Sequence, residues 1–138
     1  MADEVDLIVE AVCRLPLDYE SLQRMSAVEV LRRSGYARRR ADVTVARVAA
    51  CLAAHPAWIR AWFRWSDDTR AHSAWFIRRW AGGEFEVGFF DGIGIRAAVM
   101  FDDETRACAE YVLRAIRSID GDDDPPGGRT VAADARAD

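Results

Sequence analysis

The sequence has 138 residues, 51% hydrophobic and 30% charged, which suits one domain with a real core and excludes a wholly disordered chain. It holds no apolar run of about 18 residues and so predicts no membrane span. Its start, Met1-Ala2-Asp3-Glu4, is acidic where a secretory signal is basic, which points to a cytoplasmic protein.

Residues 4–14 predict a first helix, with Val5, Ile8, Val9 and Val12 on one stripe. Pro16 is expected to interrupt it, and Asp18 to cap a second helix over 19–34 with Leu22, Met25, Val28 and Leu31 inward. Gly35 can take the left-handed conformation that ends a helix. A short arginine-rich connection, 36–41, follows. Asp42 is then expected to cap a third helix over 43–54, with Val45, Val48, Ala49 and Leu52 inward. His55 reads as a capping or surface residue, and Pro56 opens a new helical segment over 57–66.

The period then changes. Residues 74–80 read as a strand, 84–90 as a second and 95–101 as a third, with Ala81-Gly82-Gly83 and Asp91-Gly92 as turns. Asp102 is expected to cap a last helix in which Cys108, Tyr111, Val112, Ala115, Ile116 and Ile119 form the clearest amphipathic stripe of the chain. The Asp-, Pro- and Gly-rich residues 120–138 read as a disordered acidic tail. The fold class is therefore α+β: N-terminal helices, a three-stranded antiparallel meander and a C-terminal helix packed on the sheet, all within a single domain over 1–119.

All five tryptophans lie between residues 58 and 80. Helical spacing places Trp58, Trp62 and Trp65 on one face, which reads as core. Strand alternation puts Trp75 and Ile77 on one side and Phe76 and Trp80 on the other, so one of the two strand tryptophans is expected near solvent as a contact residue.

The three cysteines, Cys13, Cys51 and Cys108, are far apart in sequence and odd in number. They read as small reduced core residues, without the paired spacing of a metal site. All 19 basic residues are arginine; with the alanine-rich composition this suits a GC-rich bacterial genome. Residues 1–30 carry a net charge of −5, residues 31–80 carry +8, residues 81–117 carry −3 and residues 118–138 carry −4. Such a polarised chain suits steering toward a charged partner.

No catalytic centre is legible. His72 with Asp67 or Asp68 and Ser73 could be drawn as a triad, but no nucleophile elbow accompanies them. Glu84 and Glu86 share a strand face and read as solvated charges that protect it from aggregation. Arg32, Arg33, Arg38, Arg39 and Arg40 flank Tyr36 and could grip nucleic-acid phosphates. The plainer reading, a solvated helix end, is preferred because the rest of the chain is acidic. No cofactor or metal is expected.

The order Ala54-His55-Pro56, then Trp62-Phe63-Arg64-Trp65-Ser66-Asp67-Asp68-Thr69-Arg70, Ala74-Trp75-Phe76, Glu86-Val87-Gly88-Phe89-Phe90, Phe101-Asp102-Asp103 and Ala107-Cys108-Ala109-Glu110-Tyr111-Val112 resembles small immunity proteins of bacterial polymorphic-toxin and contact-dependent inhibition systems. The likeness spans roughly residues 54–119. It implies a non-catalytic protein that binds and neutralises a cognate toxin domain, often a nuclease. Under that resemblance the partner-binding candidates are Asp67, Asp68, His72, Glu84, Glu86 and Asp91, with Trp75 and Trp80 as anchors. The alternative is a small nucleic-acid or regulatory binding module that uses the arginine cluster; an undetected enzyme is the third reading.

Overall fold

The first helix, α1 (Glu4–Cys13), begins where the Asp3 carboxylate accepts the Asp6 backbone N–H at 2.9 Å. Its stripe of Val5, Ile8, Val9 and Val12 is buried as the spacing predicts. A computed structural model of the protein describes residues 3–22, 24–69 and 74–121; the reading of the tail beyond residue 121 lies outside them.

The second predicted helix is two helices. Pro16 sits in the first turn of α2 (Leu15–Ser21), where its missing N–H breaks no helical bond. Asp18 lies within that turn and pairs with Arg14 at 3.1 Å instead of capping. The chain turns at Leu22, and α3 (Ala27–Ser34) starts anew with the Ser26 hydroxyl accepting the Glu29 N–H at 3.1 Å. Ser26-Ala27-Val28-Glu29 has the spacing of a capping box and acts as a start signal where the sequence reading placed helix interior. Leu22 and Val28 are exposed as a result, and Val30 and Leu31 take the inner positions. Gly35, at φ 87°, closes α3 as expected.

Residues 36–42 form two 3-10 turns. The cap of α4 (Val45–Ala54) is Thr44, whose hydroxyl accepts the Arg47 N–H at 3.3 Å. Asp42 is instead drawn to Arg39 at 2.8 Å. Val48 and Leu52 are fully buried, and Val45 and Ala49 pack at the edge of the core. α5 (Pro56–Thr69) opens on its proline, and the His55 ring stacks flat on Trp58 at 3.8 Å. Trp62 has 0% exposure; its indole N–H donates to the Cys13 carbonyl at 2.8 Å, tying α5 to the end of α1. Trp58 and Trp65 on the same face are partly buried against this core.

The strands β1 (Ala74–Arg79), β2 (Phe85–Phe90) and β3 (Ile95–Phe101) form an antiparallel meander in the order β1-β2-β3. The register shifts between Val87 and Phe89, and Ala97 opposite takes φ 55°, which marks a bulge that twists β3. Trp75, Ile77, Phe85, Val87 and Phe89 are buried on the helical side of the sheet. α6 (Glu104–Asp120) lies between that side and α4. Its cap is Asp103, which accepts the Arg106 N–H at 2.9 Å, and not Asp102. The predicted stripe is buried from Cys108 to Ile116 and partly buried at Ile119, and Ala107, Ala109 and Leu113 are buried too, because helices and sheet enclose α6 from more than one direction.

The unpaired edge of β1 is met by α5. The fully buried Ser66 hydroxyl accepts the Ile77 N–H at 3.0 Å and contacts the Ile77 carbonyl at 3.2 Å. It stands in for a neighbouring strand. Ser66→Ala leaves both Ile77 backbone groups buried without this partner, and is expected to lower the unfolding free energy by about 1–3 kcal/mol. Urea denaturation checks this: the midpoint should fall at constant slope, and an unchanged midpoint would show that Ser66 does not hold this edge.

Candidate functional site: the outer face of the meander

Strand alternation turns Phe76, Arg78 and Trp80 away from the helices. Cross-strand register adds Glu86, Gly88 and Phe90 from β2 and Met100 and Ile95 from β3 to the same side. Phe76 lies over Gly88, where an added Cβ would stand 3.0 Å from its ring, so the glycine is what lets the ring lie flat. Phe76 is buried there, at 2% exposure.

The Arg78 guanidinium sits 5.4 Å from the Phe76 ring and 4.9 Å from the Trp80 ring. Its Nε donates to Glu86 at 2.6 Å, and the Trp80 indole N–H donates to the same carboxylate oxygen at 3.1 Å. Glu86 is therefore only 6% exposed. This corrects the expectation of a solvated charge: the two β1-side residues fold over it, and it becomes an internal brace for them. Glu84 is exposed and stands just before β2, opposite Trp80. Its carbonyl accepts the Trp80 N–H at 2.8 Å and closes the first hairpin.

Trp80 remains 46% exposed. Met100, Ile95 and above all Ile93 are exposed as well. Between the two ends lies an open groove of about 540 Å³ lined by Phe76, Arg78, Phe90, Ile93, Gly94 and Ile95. From Glu86 to Phe90 the strand rises about 13 Å, and the Arg78–Glu86 pair lies between Trp80 at one end and Phe90 and Ile95 at the other.

The other candidates fall elsewhere. Trp75 is 6% exposed, edge-on to Phe89 at 5.4 Å with Arg114 of α6 over its ring at 4.9 Å. It faces the core, which removes it as an anchor and leaves that role to Trp80. Asp67 and Asp68 are exposed at the end of α5, beside the start of β1 and away from Trp80 at its far end. His72 lies outside the described residues.

Asp91 organises the second hairpin. Its carboxylate accepts the Ile93 and Gly94 N–H groups, each at 2.8 Å, and pairs with Arg96. The Gly94 N–H bond, then Arg96, then the Ile93 N–H hold its pKa well below the usual carboxylate range. A carboxylate with a depressed folded pKa stabilises fully above its unfolded value, about 3.9, and loses that contribution as pH falls through the folded value. The Ile93 and Gly94 amide resonances are thus expected to hold their positions as pH drops through 4. A titration midpoint near the ordinary aspartate value would contradict the turn geometry.

Four arginines of the cluster, Arg32, Arg38, Arg39 and Arg40, meet acids. Arg38 and Arg39 meet Glu4 at 3.1 and 2.8 Å, and Arg40 meets Asp120 at 2.7 Å. Arg38, then Arg39, hold the Glu4 pKa below its ordinary value. Arg47 reaches Asp6 at 3.5 Å, and Arg79 pairs with Glu104. The basic middle of the sequence is in this way folded against the acidic segments on either side of it. Tyr36 is 1% exposed and offers no ring for a base to stack on.

Strand alternation places Phe76 on the side of Trp80, whereas Arg78, Ile93, Ile95 and Met100 were not singled out from the sequence. Their signal was the parity of Trp80, which becomes legible once the register across both hairpins is known. Among the described residues, no cluster of three or more His, Cys, Asp or Glu side chains could hold a metal ion, and no helix is long and apolar enough to cross a membrane. No protein-family model, no curated protein and no solved structure matches the chain.

Proposed function

We propose that the chain is a non-catalytic binding protein of the immunity type, which acts in the cytoplasm by seating a cognate toxin domain on the outer face of its meander. The observation that carries this reading is the half-exposed Trp80, held in place by Glu86 and Arg78 on a sheet face that also exposes Met100 and Ile95. Interfaces concentrate binding energy in tryptophan, tyrosine and arginine anchored among less critical contacts. An aromatic whose N–H is already bonded loses little freedom on binding, which favours affinity. The exposed Glu84 beside Trp80 supplies a carboxylate for a basic substrate groove such as that of a nuclease. The sequence resemblance supports the same reading.

Co-expression tests it. In the source genome, the neighbouring gene is expected to encode a large secreted protein with a variable C-terminal domain. That domain, produced in a bacterial cytoplasm, should arrest growth, and this chain should restore it and co-purify in fixed stoichiometry. A toxic domain whose effect this chain does not relieve, or a neighbourhood with no such gene, would remove the proposal.

A further inference from the structure

Cys13 is the last residue of α1 and is fully buried, whereas Cys51 on α4 is partly exposed. They are far apart in sequence, but the fold brings them together. The Cys13 Sγ lies 3.9 Å from the Val48 carbonyl, and Val48 is one turn before Cys51 on the same face of α4. That turn of α4 brings Cys51 beside Cys13, and each thiol perturbs the other's pKa, with Glu10 and Arg14 also acting on Cys51. The third cysteine, Cys108 on α6, is fully buried.

The two thiols are unequal. The hydrogen bond from Cys13 lowers the Cys51 pKa, with Arg14 assisting and burial and Glu10 opposing. The same hydrogen bond, then burial, pushes Cys13 up. The partly exposed sulfur is thus the better nucleophile, and the buried one stays protonated beside it.

We infer that Cys51 and Cys13 form a peroxide-sensitive dithiol site, with Cys51 as the attacking sulfur, Cys13 as the resolving sulfur and a small hydroperoxide as the oxidant. The Cys51 thiolate attacks one peroxide oxygen. The O–O bond breaks, the leaving oxygen takes a proton as water or an alcohol, and Cys51 becomes a sulfenic acid. The Cys13 sulfur then attacks the Cys51 sulfur. The S–O bond breaks, its oxygen leaves as water with the Cys13 proton, and an α1–α4 disulfide forms. Two thiols lose two electrons and two protons, and the hydroperoxide is reduced to one alcohol or water and one water. Only a partly exposed thiol admits the oxidant, which sets the order of the two sulfurs.

The test treats the full chain with hydrogen peroxide, alkylates it under denaturing conditions and maps the peptides. Two of the three thiols should disappear within one chain, with Cys13 linked to Cys51 and Cys108 still alkylated. Cys13→Ser should trap a Cys51 sulfenic acid that reacts with dimedone. Cys51→Ser should slow peroxide-driven thiol loss by at least about tenfold, and Cys108→Ser should leave it within about twofold. Three surviving thiols, a disulfide to Cys108, or Cys51 over-oxidised while Cys13 stays reduced would each overturn the inference. The wild-type map decides the question even where a serine variant fails to fold.

Discussion

Trp62→Ala is expected to lower the unfolding free energy by about 3–5 kcal/mol, the range for removing a large aromatic from a closed core. The indole has no exposure and lies edge-on to Tyr111 at 5.9 Å and to Trp65 at 5.8 Å. It also carries the N–H that satisfies the Cys13 carbonyl. Truncation opens a cavity where α1, α5 and α6 meet and leaves that carbonyl without its donor. Trp62→Phe separates the two effects. It keeps much of the ring volume and loses the donor, so a smaller loss of about 1–3 kcal/mol is expected. Urea denaturation reads both. A loss below about 1 kcal/mol for the alanine variant would mean that Trp62 is not the central contact among these helices.

Trp80→Ala should do the reverse, sparing stability and damaging binding. Its ring is half exposed and lies outside the hydrophobic core, so the folded chain should lose no more than about 1 kcal/mol. Glu86 keeps Arg78 as its partner, which prevents an isolated buried charge. Binding to the proposed toxin partner should weaken by about 2 kcal/mol or more, roughly 30-fold in affinity, as for an interface hot spot. Met100→Arg, which sets a charge on the same face opposite Glu86, should weaken binding independently. Titration calorimetry against the purified toxin domain measures both. An affinity within about threefold of wild type for Trp80→Ala would take this tryptophan out of the interface.

The fold was legible where one period ran long without interruption. α6 shows this, because Cys108, Tyr111, Val112, Ala115 and Ile116 repeat at helical spacing over more than two turns. The three strands were legible because the turns at Gly82-Gly83 and Asp91-Gly92 are strong local signals. What failed was the choice between neighbouring polar residues. Asp102 and Asp103 are alike in sequence, and only the backbone path decides which carboxylate reaches the Arg106 N–H. Asp42 lost its capping role to Thr44 because Arg39 lies within reach. The division at Leu22 was hidden because Ser26 to Glu29 interrupts an apolar pattern that continues on paper.

The candidate site was less legible for a different reason. Whether Trp75 or Trp80 faces outward depends on which side of the sheet the helices cover, and strand parity alone is symmetric on that point. Glu86 changed character through Arg78 and Trp80, eight and six residues away in sequence but folded over it across the hairpin. The charge blocks were visible, but their pairing was not. Glu4 meets Arg38 and Arg39 across more than thirty residues, so the steering suggested by the net charge of each segment is largely spent inside the fold.

Amide hydrogen exchange of the free chain and of its complex with the neighbouring toxin domain tests the placement of the binding surface most directly. New protection is expected along β3 and in the two hairpins, around Trp80–Glu84 and Asp91–Ile95, with α1 and the turns at Tyr36–Asp42 unchanged. Protection confined to those arginine-rich turns, or to the end of α5 at Asp67 and Asp68, would contradict that placement.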